Sequence, residues 1–346
     1  MLGYAARSDN SARSIVTLSW ETATVPKFKV LLTDYAWPDL DIERNILAEG
    51  NCELVVADKA KTDAESLAKL AVPCDAIMTN WAKVPGSVIG AAPNCRIVSR
   101  LGIGLDNIDV EYCTAHKIVV TNVPDYCLIE VAEHALASIY AMGRKIGFYH
   151  QATKEGRYEL QAGPKLRRME GQTVGIVGFG AIGRCLAKKL QGLGLKVIAY
   201  NRSRKDPLPG VEWRELPELL KESDYVSLHV PATPQTKHLM GAEQFKLMKP
   251  SAYLINTARG AVVDEAALAA ALAAGELAGA ALDVQQQEPC DLSKPPFNDT
   301  RVVVTPHAAF VSEESLANLR SRTAQQVVDR LHGRVPENVR NPEVLA

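Results

Sequence analysis

The sequence predicts an α/β protein made of two domains, each built around a parallel β-sheet. Its 346 residues are 47% hydrophobic, which is enough for two separate cores. Short β-rich runs alternate with helical patterns along nearly the whole chain, as expected for βαβ units. The alternation falls into two series, separated by a long helical stretch that follows residue 124. Two series of βαβ units predict two sheets rather than one.

The first series begins at Lys27. Residues 1–24 precede any convincing strand, and we expect them to form a disordered tail. The predicted strands of this series are KVLLTD, CELVVAD, DAIMTN, RIVSRLG and IVVTNVP. The stretch EVAEHALASIYAMGRKIGFY then predicts one long helix, because its apolar residues recur at helical spacing.

The second series supplies the strands of the second sheet. They are predicted at TVGIVGFG, KVIAY, YVSLHV, AYLINTA, GAALDV and RVVVTP. A last helical pattern, SEESLANLRSRTAQQVVDRLHG, has no strand after it. We therefore expect this helix to return and pack on the first domain.

Composition excludes several classes of function. Thirty-nine Lys and Arg residues against 40 Asp and Glu leave a formal charge of -1, so there is no broad positive field for nucleic acid or anionic lipid. The seven cysteines are scattered and form no CxxC pair, which predicts neither a disulfide framework nor a metal site. No segment is apolar for long enough to span a membrane. We expect a cytoplasmic protein.

The motif GIVGFGAIGR lies between a β-rich run and a helix, and it contains Gly178, Gly180 and Gly183 in the spacing G-x-G-x-x-G. The first glycine permits a tight turn, the second lets backbone approach a pyrophosphate, and the third allows close helix–sheet packing. The helix that starts with Ala181 and Ile182 offers free N–H groups to the phosphates. This context favours a dinucleotide over the alternative, a tight turn without a ligand.

The stretch AYNRSRK follows the second strand of this series. Asn201 stands 18 residues after Gly183, where a carboxylate usually bonds the ribose 2'-hydroxyl of NAD. Arg202 and Arg204, with Ser203 between them, can instead pair with a 2'-phosphate that a carboxylate would repel. The stretch therefore favours NADP over NAD. The alternative is a solvated turn after a strand, where such residues are common.

Three dispersed fragments carry candidate catalytic groups: INTARG with Arg259, DVQQQEP with Glu288, and VTPHAAF with His307. Each follows an apolar run, so each lies near a strand end, where open α/β sheets bind ligands. Arg259 can grip a 2-keto carboxylate with its planar fork. His307 can exchange the hydroxyl proton during hydride transfer, and Glu288 can orient the imidazole. Taken singly, each also fits a surface, solvated or packed residue.

The set of motifs resembles the NAD(P)-dependent D-2-hydroxyacid dehydrogenases, the family of D-3-phosphoglycerate dehydrogenase and glyoxylate/hydroxypyruvate reductases. The motifs are LGIGLDNID, VPDYCLIEVAEHA, GIVGFGAIGR, LHVPATPQTKHLMG, INTARGAVVDE, ALDVQQQEP and TPHAAF. The resemblance implies a discontinuous substrate domain, residues 25–124 and 309–346, and an inserted Rossmann-type NAD(P)-binding domain, residues 125–308. It also implies a homodimer that forms through the long helix around Val131 to Gly147.

The resemblance implies further site residues. The backbone of Leu101, Gly102, Ile103 and Gly104 would receive the substrate carboxylate, although a plain strand-to-helix turn is the alternative. Near the adenosine half it implies Pro231 and Thr236. At the nicotinamide end it implies Thr257, the adjoining Ala258, and Asp283, which would accept a hydrogen bond from the carboxamide.

The activity implied is the interconversion of a small D-2-hydroxy acid and its 2-keto acid by hydride transfer with NADP(H) or NAD(H). The alternative is a cofactor-sensing interaction protein like the C-terminal binding protein corepressors, which share the fold and the three catalytic residue types. One departure stands out. Gln285 to Gln287 occupy a stretch in which the family commonly has an aromatic residue and an acid.

Overall fold

The structure is a computed structural model that describes residues 27–160, 163, 165–203 and 208–346. The predicted tail, residues 1–24, and Arg204 lie outside the described residues. Within them the chain forms two parallel β-sheets, which confirms the predicted fold class. One sheet has five strands and the other has seven.

The first sheet contains all five strands predicted for it, in the order β2-β1-β3-β4-β5. The strands are β1 (Phe28–Leu32), β2 (Cys52–Val56), β3 (Ala76–Thr79), β4 (Ile97–Arg100) and β5 (Val119–Thr121). The helices between them are α1 (Asp41–Glu49), α2 (Ala64–Ala71), α3 (Gly86–Gly90) and α4 (Val110–Ala115). Strands β3 and β4 are buried throughout, because apolar clusters cover both faces of the sheet.

The second sheet has the order β12-β11-β10-β9-β6-β7-β8, and every pair is parallel. Its strands are β6 (Thr173–Val177), β7 (Lys196–Tyr200), β8 (Val211–Trp213), β9 (Tyr225–Leu228), β10 (Tyr253–Asn256), β11 (Gly279–Leu282) and β12 (Val302–Val304). Its helices are α7 (Ala181–Gly192), α8 (Leu216–Glu222), α9 (Ala242–Leu247) and α10 (Glu265–Ala274). The sequence did not predict β8, a three-residue strand at the edge.

Each sheet contains a point at which the winding direction reverses. In the first sheet it lies between β1 and β3, and in the second it lies between β6 and β9. Loops that leave neighbouring strands in opposite directions open a crevice at the carboxyl ends of those strands. The candidate residues lie along these carboxyl ends.

The long helix predicted after residue 124 is wrong in one respect, because it is two helices. They are α5 (Leu128–Arg144) and α6 (Ile146–Lys154), and Lys145 between them has the left-handed backbone angle φ 57°. A non-glycine residue in this region ends the regular hydrogen-bond ladder. Helix α5 contacts α7, β10 and β11 of the second unit.

The last helix, α11 (Glu313–Leu331), packs on the first sheet. Its N-terminus is capped by Ser312, whose Oγ accepts from the backbone N–H of Ser315 at 2.9 Å. Leu319 and Val327 of α11 belong to the same buried cluster as the strands of the first sheet. The helix thus joins the end of the chain to its first unit, while the residue boundaries of the two domains stay predictions.

Candidate active site

A cavity of about 1040 Å³ lies between the carboxyl ends of the two sheets, and we call it the cleft. Both sheets contribute to its lining, and so do the loop after Arg100 and the start of α7. The three candidate catalytic residues, Arg259, Glu288 and His307, all line it. These residues are far apart in sequence, and the fold brings them to one surface.

His307 and Glu288 form a hydrogen-bonded pair. The Nδ1–H of His307 donates to Oε2 of Glu288 at 2.8 Å, which leaves Nε2 as the ring nitrogen available to a substrate. Burial alone would raise the pKa of Glu288. The hydrogen bond and charge of His307, with the Gln285 N–H and the Arg259 cation, outweigh burial and hold the pKa of Glu288 below its usual range. The pair therefore suits proton transfer with an ionised partner behind the imidazole.

The backbone at His307 is held in an uncommon conformation. Its φ is 53°, in the left-handed region that few residues other than glycine adopt. The N–H of His307 donates to the carbonyl of Asp283 at 2.8 Å. The buried carboxylate of Asp283 accepts from the N–H groups of Ala308 and Ala309, both at 2.9 Å, and from the Thr305 hydroxyl at 2.5 Å. Asp283 thus clamps the loop that aims the imidazole.

Arg259 follows β10 and reaches towards the first unit. Its Nη1 donates to the carbonyl of Ala258 at 2.7 Å, and its Nε lies 3.4 Å from Oδ1 of Asp106. Its guanidinium group packs beside Gly104, where a Cβ atom would collide with it. The arginine therefore adjoins the loop that was expected to receive a carboxylate.

In the loop of residues 101–104, the carbonyl groups of Leu101, Gly102 and Ile103 accept hydrogen bonds. Asn122 donates to the carbonyl of Ile103 at 2.6 Å, and the N–H of Val123 donates to that of Gly102 at 3.1 Å. The N–H groups of Gly102, Ile103 and Gly104 have no acceptor among the described residues. Three consecutive free donors beside a guanidinium group form a suitable binding surface for a carboxylate.

At the start of α7, the glycine motif leaves room for a dinucleotide. Gly178 has φ 97°, and a Cβ there would stand 2.6 Å from the backbone of His229. A Cβ at Gly180 would meet nothing within 4 Å, so the approach to the helix N-terminus is open. Gly183 packs directly on the carbonyl of Gly178. These features fit a pyrophosphate at the N-terminus of α7.

The other cofactor candidates divide into two groups. Ile182, Pro231, Thr257, Ala258 and Asp283 line the cleft. The hydroxyl of Thr257 is buried and has no hydrogen-bond partner, which suits a residue that contacts a bound ligand. Thr236 instead braces a turn, because its hydroxyl donates to the carbonyl of Pro231 at 2.6 Å, and it is not part of the cleft lining.

Asn201 also has a local role. Its Oδ1 accepts from the N–H of Phe179 at 3.2 Å, and its Nδ2 donates to the carbonyl of Ser203 at 2.7 Å. The side chain thereby ties the turn after β7 to the glycine motif. Arg202 and Ser203 are exposed at this turn.

Some cleft residues were not found from the sequence. They are Asn80 and Arg100, which line the first unit's side of the cleft. Their sequence signal is weak. An arginine that ends an otherwise apolar strand, RIVSR, is the one feature that singles out Arg100.

Comparison with known proteins places these features in a family. Residues 136–309 match the family described as "D-isomer specific 2-hydroxyacid dehydrogenase, NAD binding domain". The chain is 37% identical over 295 residues to the glyoxylate reductase of Korarchaeum cryptofilum, covering 83% of this chain and 89% of that one. It is 38% identical over 271 residues to the D-3-phosphoglycerate dehydrogenase of Archaeoglobus fulgidus, covering 77% and 51%.

Solved structures show the same likeness. The NADPH-dependent glyoxylate/hydroxypyruvate reductase of Sinorhizobium meliloti, in complex with NADP and malonate, has a TM-score of 0.79 and 28% identity, covering 90% of this chain and 96% of that one. The D-lactate dehydrogenase of Aquifex aeolicus, complexed with NAD and lactic acid, has a TM-score of 0.81 and 28% identity, covering 90% and 99%.

An acid–base pair, an arginine and a dinucleotide cradle in one cleft define a nicotinamide-dependent oxidoreductase of hydroxy and keto acids. The chain belongs to the D-isomer specific 2-hydroxyacid dehydrogenase family. Nothing in the comparisons supports the alternative of a corepressor-like interaction protein. Within the described residues, no helix has the length and apolar character needed to cross a bilayer.

Proposed function

We propose that the chain reduces small 2-keto acids of the glyoxylate type to 2-hydroxy acids, with NADPH preferred over NADH. The observation that carries this proposal is the His307–Glu288 pair, which shares the cleft with Arg259 and the free N–H groups of residues 102–104. In this proposal, residues 25–124 and 309–346 form the substrate domain, and residues 125–308 form the cofactor domain.

The residues of the chain divide the work of the reaction. Arg259 and the loop of residues 101–104 hold the substrate carboxylate, which fixes the direction in which the keto oxygen points. His307 donates the proton on Nε2 to that oxygen, and it regains a proton from solvent after the product leaves. Glu288 stays ionised and stabilises the protonated imidazole through Nδ1–H. When bound, a reduced nicotinamide would supply the hydride for the keto carbon.

The cofactor has its own set of candidate contacts. Gly178, Gly180 and Gly183, with Ala181 and Ile182, would hold the pyrophosphate at the N-terminus of α7. Thr257 and Ala258 would contact the nicotinamide end, together with Asp283, although the hydrogen bonds of Asp283 within the chain favour a mainly positioning role.

Preference for NADPH is supported by the turn after β7. The described part of this turn, residues 201–203, carries the exposed Arg202 and no acid, and the side chain of Asn201 is already engaged within the turn. Arg204, which lies outside the described residues, would add a second cation. In the sequence from Asn201 to Lys205 a 2'-phosphate would meet cations and no carboxylate, and the first acid that follows is Asp206.

We also propose a homodimer in a reducing cytoplasm. Large apolar side chains are exposed on and after α5, among them Ile129, Ile146 and Leu166, and a dimer would cover them. All seven cysteines are unpaired thiols. Light scattering at micromolar concentration would report twice the mass of the chain, and a monomer would contradict the dimer.

Turnover assays test the proposal directly. Glyoxylate, hydroxypyruvate and pyruvate should each be offered with NADPH and with NADH. Oxidation of the cofactor is followed through the loss of absorbance of the reduced nicotinamide. We expect turnover of glyoxylate and a higher kcat/KM with NADPH. No oxidation of either cofactor with any of these acids would overturn the proposal.

A further inference from the structure

Arg100 is a buried arginine of the cleft for which the mechanism above has no use. It is the last residue of β4, it is 8% exposed, and it lines the cleft. Its guanidinium group lies against Gly102, where a Cβ atom would stand 2.9 Å from Cζ. Arg259 lies against Gly104 in the same loop. The loop of residues 101–104 therefore has a guanidinium group at each of its two glycines. The proposed function assigns a ligand to Arg259 but none to Arg100.

Among the described residues no carboxylate lies within ion-pair distance of Arg100, and the charges of Asp34 and Asp106 act on it only from farther away. Its Nη1 donates to the carbonyl of Thr79 at 3.4 Å, to Oδ1 of Asn80 at 3.2 Å and to the carbonyl of Leu101. Its Nε is buried without any partner, and none of the ion pairs in the described part of the chain includes it. Burial lowers the pKa of Arg100 to about 10. A buried cation is costly unless a negative charge pairs with it, so this site is incomplete without an anion.

Asn80 adds a second unpaired donor at the same place. It is 3% exposed and lines the cleft beside Arg100. Its Oδ1 is engaged by Arg100, which fixes the orientation of the amide, and its Nδ2 is buried with no acceptor. The Nε–H of Arg100 and the Nδ2–H of Asn80, neither of which has an acceptor among the described residues, match a ligand group that is negatively charged and can only accept.

We propose that the preferred substrate carries a second anionic group, remote from its 2-keto carboxylate, and that Arg100 and Asn80 bind this group. The inference rests on the proposed function, and it narrows the substrate class from 2-keto acids in general to doubly anionic ones. A second carboxylate and a phosphate monoester both present the required acceptor oxygens. Glyoxylate, which has neither group, is then reduced with a lower kcat/KM than a doubly anionic 2-keto acid.

Matched substrate pairs test the inference in the intact protein. Oxaloacetate differs from 2-oxobutyrate by a carboxylate in place of a methyl group, and 3-phosphohydroxypyruvate differs from hydroxypyruvate by a phosphate. For the wild type we expect kcat/KM to favour the doubly anionic member of at least one pair by about tenfold or more, as a charge-assisted contact provides. The pair with the larger ratio identifies the anion as carboxylate or phosphate. A ratio near one in both pairs would overturn the inference.

The variant Arg100→Met keeps the length of the side chain and removes its charge. It should lower the dianion-to-monoanion ratio by about 10- to 100-fold, while Arg100→Lys retains part of that ratio. An equal loss for all four acids would mean that Arg100 supports the loop or binds the 2-keto carboxylate, and would sink the proposal.

A measurement on the wild type covers the case in which Arg100→Met does not fold. Succinate should inhibit glyoxylate reduction more strongly than butyrate does, and equal inhibition would count against the site. The two proposals fail in different ways. No turnover of any keto acid rejects the proposed function, whereas turnover of glyoxylate with no preference for dianions rejects only this inference.

Discussion

Two buried arginines of the first unit have opposite surroundings. Arg320 of α11 is 6% exposed, and its Nε and Nη2 donate to both carboxylate oxygens of the fully buried Glu43 at 2.8–3.1 Å. Its Nη2 also donates to Oδ1 of Asp39 at 2.8 Å. Arg100, 8% exposed, has only neutral acceptors. Similar burial of the same residue type thus occurs once with a counterion and once without one.

The pKa values follow this difference. Burial acts to lower the pKa of Arg320, but hydrogen bonds and charge from Glu43 and Asp39 outweigh it and raise the pKa. At Arg100 burial, with the charge of Arg259, outweighs the opposing charges of Asp34 and Asp106 and lowers the pKa. The contact of α11 with α1 is therefore electrostatically complete within the chain, whereas the cleft needs a ligand for completion. The comparison predicts that changes in the cleft affect function, and that changes at the α1–α11 contact affect stability.

The largest expected effect is on turnover, from His307→Ala. Loss of the proton donor should lower kcat by about 10²- to 10⁴-fold, because general acid catalysis contributes that much. Cofactor binding, measured by fluorescence titration, and the melting temperature should stay close to wild type. His116→Ala, at an exposed histidine outside the cleft, is the control and should keep full activity. An unchanged kcat in His307→Ala would refute the role of the imidazole.

On the stability side, Arg320→Met leaves the carboxylate of Glu43 buried without a partner. We expect the free energy of unfolding, measured in urea, to fall by about 3–5 kcal/mol. The double variant Glu43→Leu with Arg320→Met should recover most of that loss, because an apolar pair of similar volume avoids the buried charge. If the single variant is as stable as the wild type, the contrast between the two arginines is wrong.

A smaller effect on turnover is expected from Glu288→Gln, which keeps the shape of the side chain and removes its charge. At neutral pH the kcat for reduction should fall by about 10²-fold, since the protonated imidazole loses its stabilising carboxylate. The pKa of Glu288 is held below its usual range, so the wild-type advantage persists into acid. The advantage should disappear as the pH falls through this lowered pKa. Parallel pH profiles for the two proteins would contradict the assignment.

Much of the fold could be predicted from the sequence because its signals are local. β-rich runs between helical patterns located every strand except β8, whose three residues at the sheet edge carry too little pattern. The break at Lys145 was missed, because the nearby Gly143 and Gly147 lie inside α5 and α6, not at the break, and the helical periodicity continues through it. Tertiary packing sets that break, and a periodic pattern carries no information about it.

The site was predicted only in part, for a related reason. Arg259, Glu288 and His307 carry reactive groups at strand ends, so residue type and position were informative. Arg100 matters because its buried Nε has no hydrogen-bond partner. Asn201, which was expected to contact the cofactor, instead forms hydrogen bonds with Phe179 and Ser203. Neither fact can be read from a residue and its neighbours in sequence. Both depend on which groups the fold brings near.

The smallest expected effect comes from Arg202 at the turn after β7, which is exposed and has no carboxylate partner among the described residues. Water screens its charge, so a contact with the 2'-phosphate of NADPH should contribute only about tenfold. Arg202→Ala should lower the ratio of kcat/KM for NADPH over NADH by that amount, mainly through KM for NADPH. Lys196→Ala, at the opposite end of the same strand, should leave the ratio unchanged. If the wild type uses both cofactors equally, Arg202 belongs to a solvated turn. The contrast between buried arginines would still hold, because it does not depend on which nicotinamide cofactor the cleft accepts.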